Sequence, residues 1–378
     1  GADRYLVTTR DAIGLEQRII AAVENGRGHG SAVVEADVAG ERLQALSQLK
    51  YGLTLNPGQE GAGRLLLASH NRIVAIQGVA GAGKSTVLKP VADILREEGK
   101  SVLGLAVQNT LVQMLERDTG IPSMTVARFL RQHQGLLEGA DQARLAEARA
   151  SLRGTTVLLD EASMVGNADK EKLVRLANLL QLDRFASIGD RKQLGAVDAG
   201  KPFDVMQKAG VETATMNTNL RARDKALRDA QYAAQGGNID EALRHLGPHV
   251  VASGNTAAVD AAAAWLSLSP AEREVTAIYA SGRNLRGQVN EAVQIGLKAN
   301  GELGPGSLGL TVLSRVNLTR EEMRYSRSYA AGMVLEVDRR QRGQGLQKGR
   351  YDVIETDPTR ERVMLQNERG KRFEFRPG

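Results

Sequence analysis

The sequence predicts an α/β protein: a parallel sheet with helices on both faces, followed by a small β-rich segment. Three observations carry this. Between residues 51 and 215, the short apolar runs "RIVAIQ", "SVLGLAV", "TTVLLDEA" and "RFASIGD" alternate with helical patterns, as βαβ units do. The first run leads into "GVAGAGKS" and then a helical pattern, giving strand, glycine-rich loop, helix. Towards the end the pattern changes to "GMVLEVDR", "GRYDVIETD", "RVMLQNE" and "KRFEFRP", short β patterns separated by turn residues.

Taken in order, residues 1–50 read as an N-terminal helical subdomain, with helices at "IGLEQRIIAAVENG" and "AGERLQALSQL". Residues 51–215 form the sheet domain. Within it, "GLLEGADQARLAEARASLRG" is a polar helical insertion between two strands. Residues 216–305 begin with the helix-rich "LRARDKALRDAQYAAQGGNIDEALRHL". A further strand–loop–helix is expected at "VTAIYASGRNLRGQVNEAVQIGLK". "NGELGPGSLG" is a loop and a domain edge, and 306–378 is the β-rich segment.

The chain has 378 residues, enough for two or three domains at roughly 100–200 residues each. No run of about 18 apolar residues is present, so no membrane insertion is expected. The opening "GADRYLVTTRDAIG" lacks a basic segment followed by an apolar core, so no secretory signal is expected there. There is no cysteine, which excludes disulfides and thiolate metal sites and fits a reducing compartment. The net charge is +6. From Arg315 onward, 15 basic residues face 10 acidic ones, so most of the excess lies in the last sixth of the chain. That segment is either a solvated surface or one that touches a phosphate backbone.

"GVAGAGKS" matches G-x-x-x-x-G-K-[ST] in full. Gly78, Gly81 and Gly83 let the backbone curl so that its N–H groups point at phosphates and no side chain blocks the approach. The following helix adds the positive end of its dipole. Lys84 reaches the β- and γ-phosphates, the Ser85 hydroxyl is a Mg²⁺ ligand, and Thr86 completes the binding segment. Such a site needs a carboxylate on a neighbouring strand. "TTVLLDEASMV" supplies Asp160 to hold the metal and Glu161 to polarise the attacking water. "ASIGDRKQL" then places Gln193 three residues after Asp190, where its amide can hydrogen-bond the γ-phosphate.

Together these segments resemble superfamily-1 helicases of the RecD-related subgroup, superfamily 1B, and most closely the helicase region of conjugative relaxase-helicases of the TraI/TrwC type. The resemblance rests on "LNPGQ", "GVAGAGKST", "TVARFL", "LLDEASMVGN", "GDRKQLGAVDAGKPF" and "NLRARDKALRDA", with "SRVNLTREEMRYSRSYAAGMVLEV" similar to the family's inserted β segment. It implies a P-loop RecA-like domain over 51–215, part of a second RecA-like domain over 216–305, and a basic 2B-like insertion over 306–378. It implies ATP and Mg²⁺ as cofactors and single-stranded DNA as partner. A type IV secretion coupling component is a further partner, and the location is the bacterial cytoplasm.

By the same resemblance Gln59 reads the adenine, and Arg221 reaches across the cleft to the γ-phosphate. The family often has Arg-Gln at this point; here it is Arg221-Ala222. Phe129 and Phe203 lie in motif segments that could stack on a DNA strand, and Arg283 opens a helix as a phosphate contact. Arg339, Arg340 and Arg342 are the corresponding candidates in the basic segment. The five histidines are not spaced like the relaxase metal site, so no nicking is expected. Neither of the family's last two helicase motifs is found after residue 300. The expectation is a fragment of a larger protein that binds ATP-Mg²⁺ but does not hydrolyse or unwind efficiently alone. The alternatives are a RecD-type repair helicase fragment, or a non-hydrolysing helicase-fold module that recognises single-stranded DNA or a secretion component.

Overall fold

The computed structural model describes residues 9–139, 141–193, 200–306, 312–316, 318 and 322–378. Three helices, α1 (Arg10–Asn25), α2 (Ala36–Tyr51) and α3 (Pro57–Ala68), precede strand β1 (Ile73–Gly78). Then come α4 (Lys84–Glu97), β2 (Ser101–Ala106), α5 (Asn109–Thr119), β3 (Ser123–Thr125), α6 (Val126–Leu137), α7 (Gln142–Ser151) and β4 (Thr155–Leu159). They are followed by α8 (Asn167–Leu179), β5 (Arg184–Gly189), α9 (Pro202–Lys208) and β6 (Thr213–Met216). The six strands form one sheet in the order β3-β2-β4-β5-β1-β6, and every pair is parallel.

The strands are apolar on both faces because both faces are covered. Side chains alternate with period two. Ile73 and Ala75 of β1, Val157 and Leu159 of β4 and Phe185 of β5 enter one core layer, with α1, α6 and α8. Val74, Ile76, Leu158, Ala186 and Ile188 enter the other, with α2, α3 and α4. The N-terminal helices are therefore cover for the sheet and not a separate subdomain: Ile19, Ala22 and Val23 of α1 lie in the first layer, and Ala39 and Leu43 of α2 in the second. Short strands β3 and β6, absent from the sequence expectation, form the sheet's two edges.

The chain divides into two compact units, 1–251 and 252–378. Helices α10 (Lys225–Gln235) and α11 (Ile239–Leu246) thus belong with the first sheet, beyond the boundary expected at 215/216. The second unit holds α12 (Ala257–Leu266), α13 (Pro270–Glu274) and α14 (Arg283–Ala299). It also holds an antiparallel sheet of β7 (Val334–Val337), β8 (Gly349–Asp357), β9 (Arg362–Asn367) and β10 (Arg372–Phe375), in the order β10-β9-β8-β7. All four expected β segments form. The strand expected before α14 does not: residues 275–282 pair with no strand among the described residues, and Val275 is 85% and Tyr279 95% exposed. Alternation alone cannot make a strand without a partner edge. The domain edge expected at 300–309 lies inside the second unit and partly outside the described residues. Among the described residues no helix is long and apolar enough to cross a membrane.

Candidate functional site

The carboxyl ends of β1 and β4 meet at a cavity of about 390 Å³. The loop from Gly78 to Lys84 builds one wall. Gly81 and Gly83 both sit at φ 75°, a region that side chains strain. Space also demands glycine at each. A Cβ on Gly81 would lie 2.8 Å from both Arg221 and Asn219, and one on Gly83 would lie 2.5 Å from Gln59. Gly83 caps α4 without a side chain, so the first N–H groups of α4 have no side-chain cap. Uncapped N–H groups at the positive end of a helix dipole form an anion site.

Gly78 lies beneath the Lys84 side chain, where a Cβ would come within 3.0 Å of its methylenes. The Lys84 ammonium is 3.7 Å from the Glu161 carboxylate, and both side chains are largely withdrawn from solvent. Glu161 occupies the left-handed region at φ 47°, directly after the buried strand β4. A non-glycine residue held there is strained, and such strain concentrates at functional sites. Asp160 is tied down by its own N–H to the Leu105 carbonyl (2.9 Å), and its carboxylate accepts the Glu161 N–H (2.9 Å). Burial, reinforced by the Glu161 charge, pushes the Asp160 carboxyl above the usual range, against the pull of Lys84.

Gly81, Gly83, Lys84, Ser85, Thr86, Asp160, Glu161 and Arg221 therefore share one cavity, as expected. Arg221 arrives by a different route from the one expected. It sits in the same compact unit as the loop. The Leu220 N–H donates to the Gly81 carbonyl (2.8 Å), and the Asn219 amide oxygen accepts the N–H groups of Arg221 (2.9 Å) and Ala222 (3.1 Å).

The expected roles of Gln59, Phe129 and Phe203 are corrected, and Gln193 and Arg283 are not brought to the cavity. Gln59 is 1% exposed. Its oxygen accepts the Asn56 N–H (3.1 Å), and its NH₂ faces the Ala82 and Gly83 carbonyls at 3.4 and 3.3 Å. It props the loop from behind, and both ends of its amide are engaged there, so it does not present an edge to a base. Phe129 and Phe203 are each 1% exposed in the core layer shared with α8, with no ring face open for stacking. Gln193 is exposed and outside the cavity lining, its NH₂ donating to the Asp190 carboxylate (3.2 Å). Arg283 is exposed in the second unit, where it donates to the Arg315 carbonyl (2.9 Å).

Sequence reasoning missed two residues here. Asn219, buried, opens the "NLRARDKALRDA" segment, but only Arg221 was singled out there. Gln77 gave one: it is a lone amide in an otherwise apolar strand, immediately before the loop.

The AAA domain family matches residues 54–252, and the DNA relaxase TraI 2B/2B-like domain matches residues 312–378. The multifunctional conjugation protein TraI of Escherichia coli is 28% identical over 64% of this chain and 13% of its own length. The conjugal transfer protein TraA of Rhizobium radiobacter is 27% identical over 62% of this chain and 20% of its length. The ATP-dependent RecD2 DNA helicase of Deinococcus radiodurans is 34% identical over 38% of this chain and 19% of its length. The chain thus spans a small part of the relatives it matches. On the glycine loop, the paired carboxylates and the match across more than half its length, it belongs to the AAA domain family, and it is homologous to the TraI and TraA conjugation proteins.

Proposed function

We propose that this chain is the ATP-binding motor portion of a 5′–3′ DNA helicase of plasmid conjugation, which moves along single-stranded DNA in the complete protein. One observation carries the reading. A single cavity gathers the uncapped start of α4, Lys84, two hard oxygen donors in Ser85 and Asp160, the strained Glu161 and Arg221.

The triphosphate lies along the loop N–H groups, with Lys84 at its outer phosphates. Ser85 and the Asp160 carboxylate are the oxygen ligands Mg²⁺ takes, and both face the cavity. That ion, when bound, neutralises charge on the transferring phosphoryl group. The buried Asp160 carboxylate, poorly compensated by its surroundings, suits a cation. Glu161, released from Lys84 as the lysine turns to phosphate, accepts the proton of the attacking water. Arg221 offers a permanently charged planar fork to the developing negative charge. Strand contacts come from exposed Arg283 and from Arg339 and Arg340 after β7. On this reading the protein works in the bacterial cytoplasm, and a type IV secretion coupling component is a further partner.

The test is ATP hydrolysis with and without a single-stranded oligonucleotide, on this chain and on Glu161→Gln, beside ATP-Mg²⁺ binding by the chain and by Lys84→Ala. The expected result is binding that Lys84→Ala abolishes and slow turnover that Glu161→Gln abolishes. Neither binding nor turnover would overturn the motor reading in favour of a helicase-fold module without hydrolysis.

A further inference from the structure

Strand β1 carries a single polar side chain before the glycine loop, and that side chain leaves the strand sideways. Parallel register sets Gln77 beside Gly189, one residue before Asp190. The Gln77 NH₂ donates to the Asp190 carboxylate (2.8 Å). Its oxygen accepts the Arg191 N–H (3.2 Å) and the NH₂ of Gln207 on α9 (3.3 Å). Asp190 is 2% exposed. One of its oxygens takes Gln77 and the Lys192 N–H (3.0 Å), and the other takes the Gln193 NH₂ (3.2 Å). A buried carboxylate and a half-buried amide with partners on most sides hold each other in one orientation.

We infer that Gln77 is a positioning residue: through Asp190 it sets where the Gln193 amide stands relative to the phosphate loop. The sheet alone aligns β1 with β5 only as far as Gly189. Beyond that point the chain turns, and the Gln77 side chain carries the alignment three residues further. The strand that ends in the phosphate loop and the turn that carries Gln193 therefore move as one body. A displacement of the loop on phosphate binding reaches Gln193 through this amide. The inference rests on the nucleotide reading of the cavity for its catalytic consequence, though not for the link itself.

Two measurements separate the link from that reading. The first is amide hydrogen exchange without nucleotide. Gln77→Leu is expected to accelerate exchange at Arg191, whose amide loses its Gln77 acceptor, and at Lys192, whose amide bonds the Asp190 that Gln77 holds, by roughly twofold to tenfold, the scale of one hydrogen bond, while β1 and β4 keep their protection. Unchanged exchange at those two amides overturns the link whatever the enzyme does.

The second is steady-state hydrolysis. Gln77→Leu is expected to lower kcat by roughly tenfold with KM for ATP within about twofold, since the phosphate loop itself is untouched. In the Gln193→Ala background the same change is expected to cost nothing more, because both act through one group. Losses that multiply, or a raised KM with unchanged kcat, overturn the assignment. Gln77→Glu keeps the side chain's shape and its acceptor but sets a second carboxylate against Asp190. It should show the same split if Gln77→Leu folds poorly, and a wild-type split for Gln77→Glu overturns the assignment. A wild-type chain with no turnover at all would count against the motor reading, and the exchange experiment would still decide the link.

Discussion

Asp160 shows how a single residue trades stability for chemistry. Its carboxyl is held above the ordinary range by burial first and by Glu161 second. The folded state therefore binds its proton more tightly than the unfolded chain. Its contribution to stability declines as pH rises from the usual carboxylate range through the raised value, and at neutral pH the ionised group costs the fold. Asp160→Asn is expected to raise Tm at pH 7 in the absence of ligand, by roughly 2–4 °C for each kcal/mol relieved. It is also expected to lose the Tm increase that ATP-Mg²⁺ gives the native chain. Thermal melts with and without ATP-Mg²⁺ check both.

Lys170 is the second case, fully buried on α8 with the Ser187 hydroxyl 3.0 Å away. Burial pushes its amine down to about 7. Between that value and the ordinary lysine range the unfolded chain holds a proton that the fold does not, so stability rises with pH across that window. Lys170→Met is expected to stabilise the fold at pH 7 by about 1–4 kcal/mol and to flatten that rise. Urea denaturation at a series of pH values reads both effects.

At the scale of elements, the amino-terminal edge of the sheet is held by one side chain. Arg184 opens β5, is 1% exposed, and donates to the carbonyls of Asn71 (3.2 Å), Ser31 (2.8 Å) and Ser69. Those carbonyls end the connections that bring α1 and α3 onto the sheet. Arg184→Ala would leave them buried and unpaired, at a cost of about 3–5 kcal/mol, read as a lower urea midpoint. The cavity lies at the opposite, carboxyl end of the strands, so ATP affinity of the folded fraction should not change.

Helix α6 gives a contrasting case. Phe129 packs inside the core, 4.7 Å between ring centroids from His133. Phe129→Ala is expected to destabilise by about 3–5 kcal/mol and to leave the oligonucleotide affinity of the folded protein unchanged. A fluorescence-anisotropy titration at a temperature well below Tm checks this, and a selective loss of affinity would return the residue to the DNA path.

For the whole molecule, charge is the relevant quantity. Most of the excess positive charge lies in the second unit, on a β sheet whose core is Tyr351, Val353, Val363, Leu365 and their neighbours. Arg339 and Arg340 stay exposed because they lie in the turn just after β7, outside any strand. If they meet a phosphate backbone, Arg339→Ala with Arg340→Ala is expected to reduce the slope of log K against log salt for an oligonucleotide by about 1.4, at ~0.7 per phosphate contact on a single strand. Binding measured over a salt series checks it. An unchanged slope would make that surface merely solvated.

The sequence by itself determined the parallel sheet and the heart of the cavity. Strands β1, β4 and β5 are buried on both faces, so they read as largely apolar runs, and each ends in a polar turn where the strand leaves the core. Lys84, Ser85, Asp160 and Glu161 sit at those ends, which is why local order along the chain was enough to bring them together. The four strands of the second unit were legible for a similar reason, since turn residues bound each run. Only the tertiary structure decided burial and partnership. Phe129 and Gln59 belong to recognisable motifs, yet a motif does not say which way a side chain faces. The 275–280 run is apolar like a strand but pairs with none among the described residues. Strands β3 and β6 are too short to show a period and exist because an edge was available. Gln77 and Asp190 lie 113 residues apart and meet only through parallel register. Hydrophobic periodicity is a local property, whereas a hydrogen bond between strands requires the whole sheet to be in place.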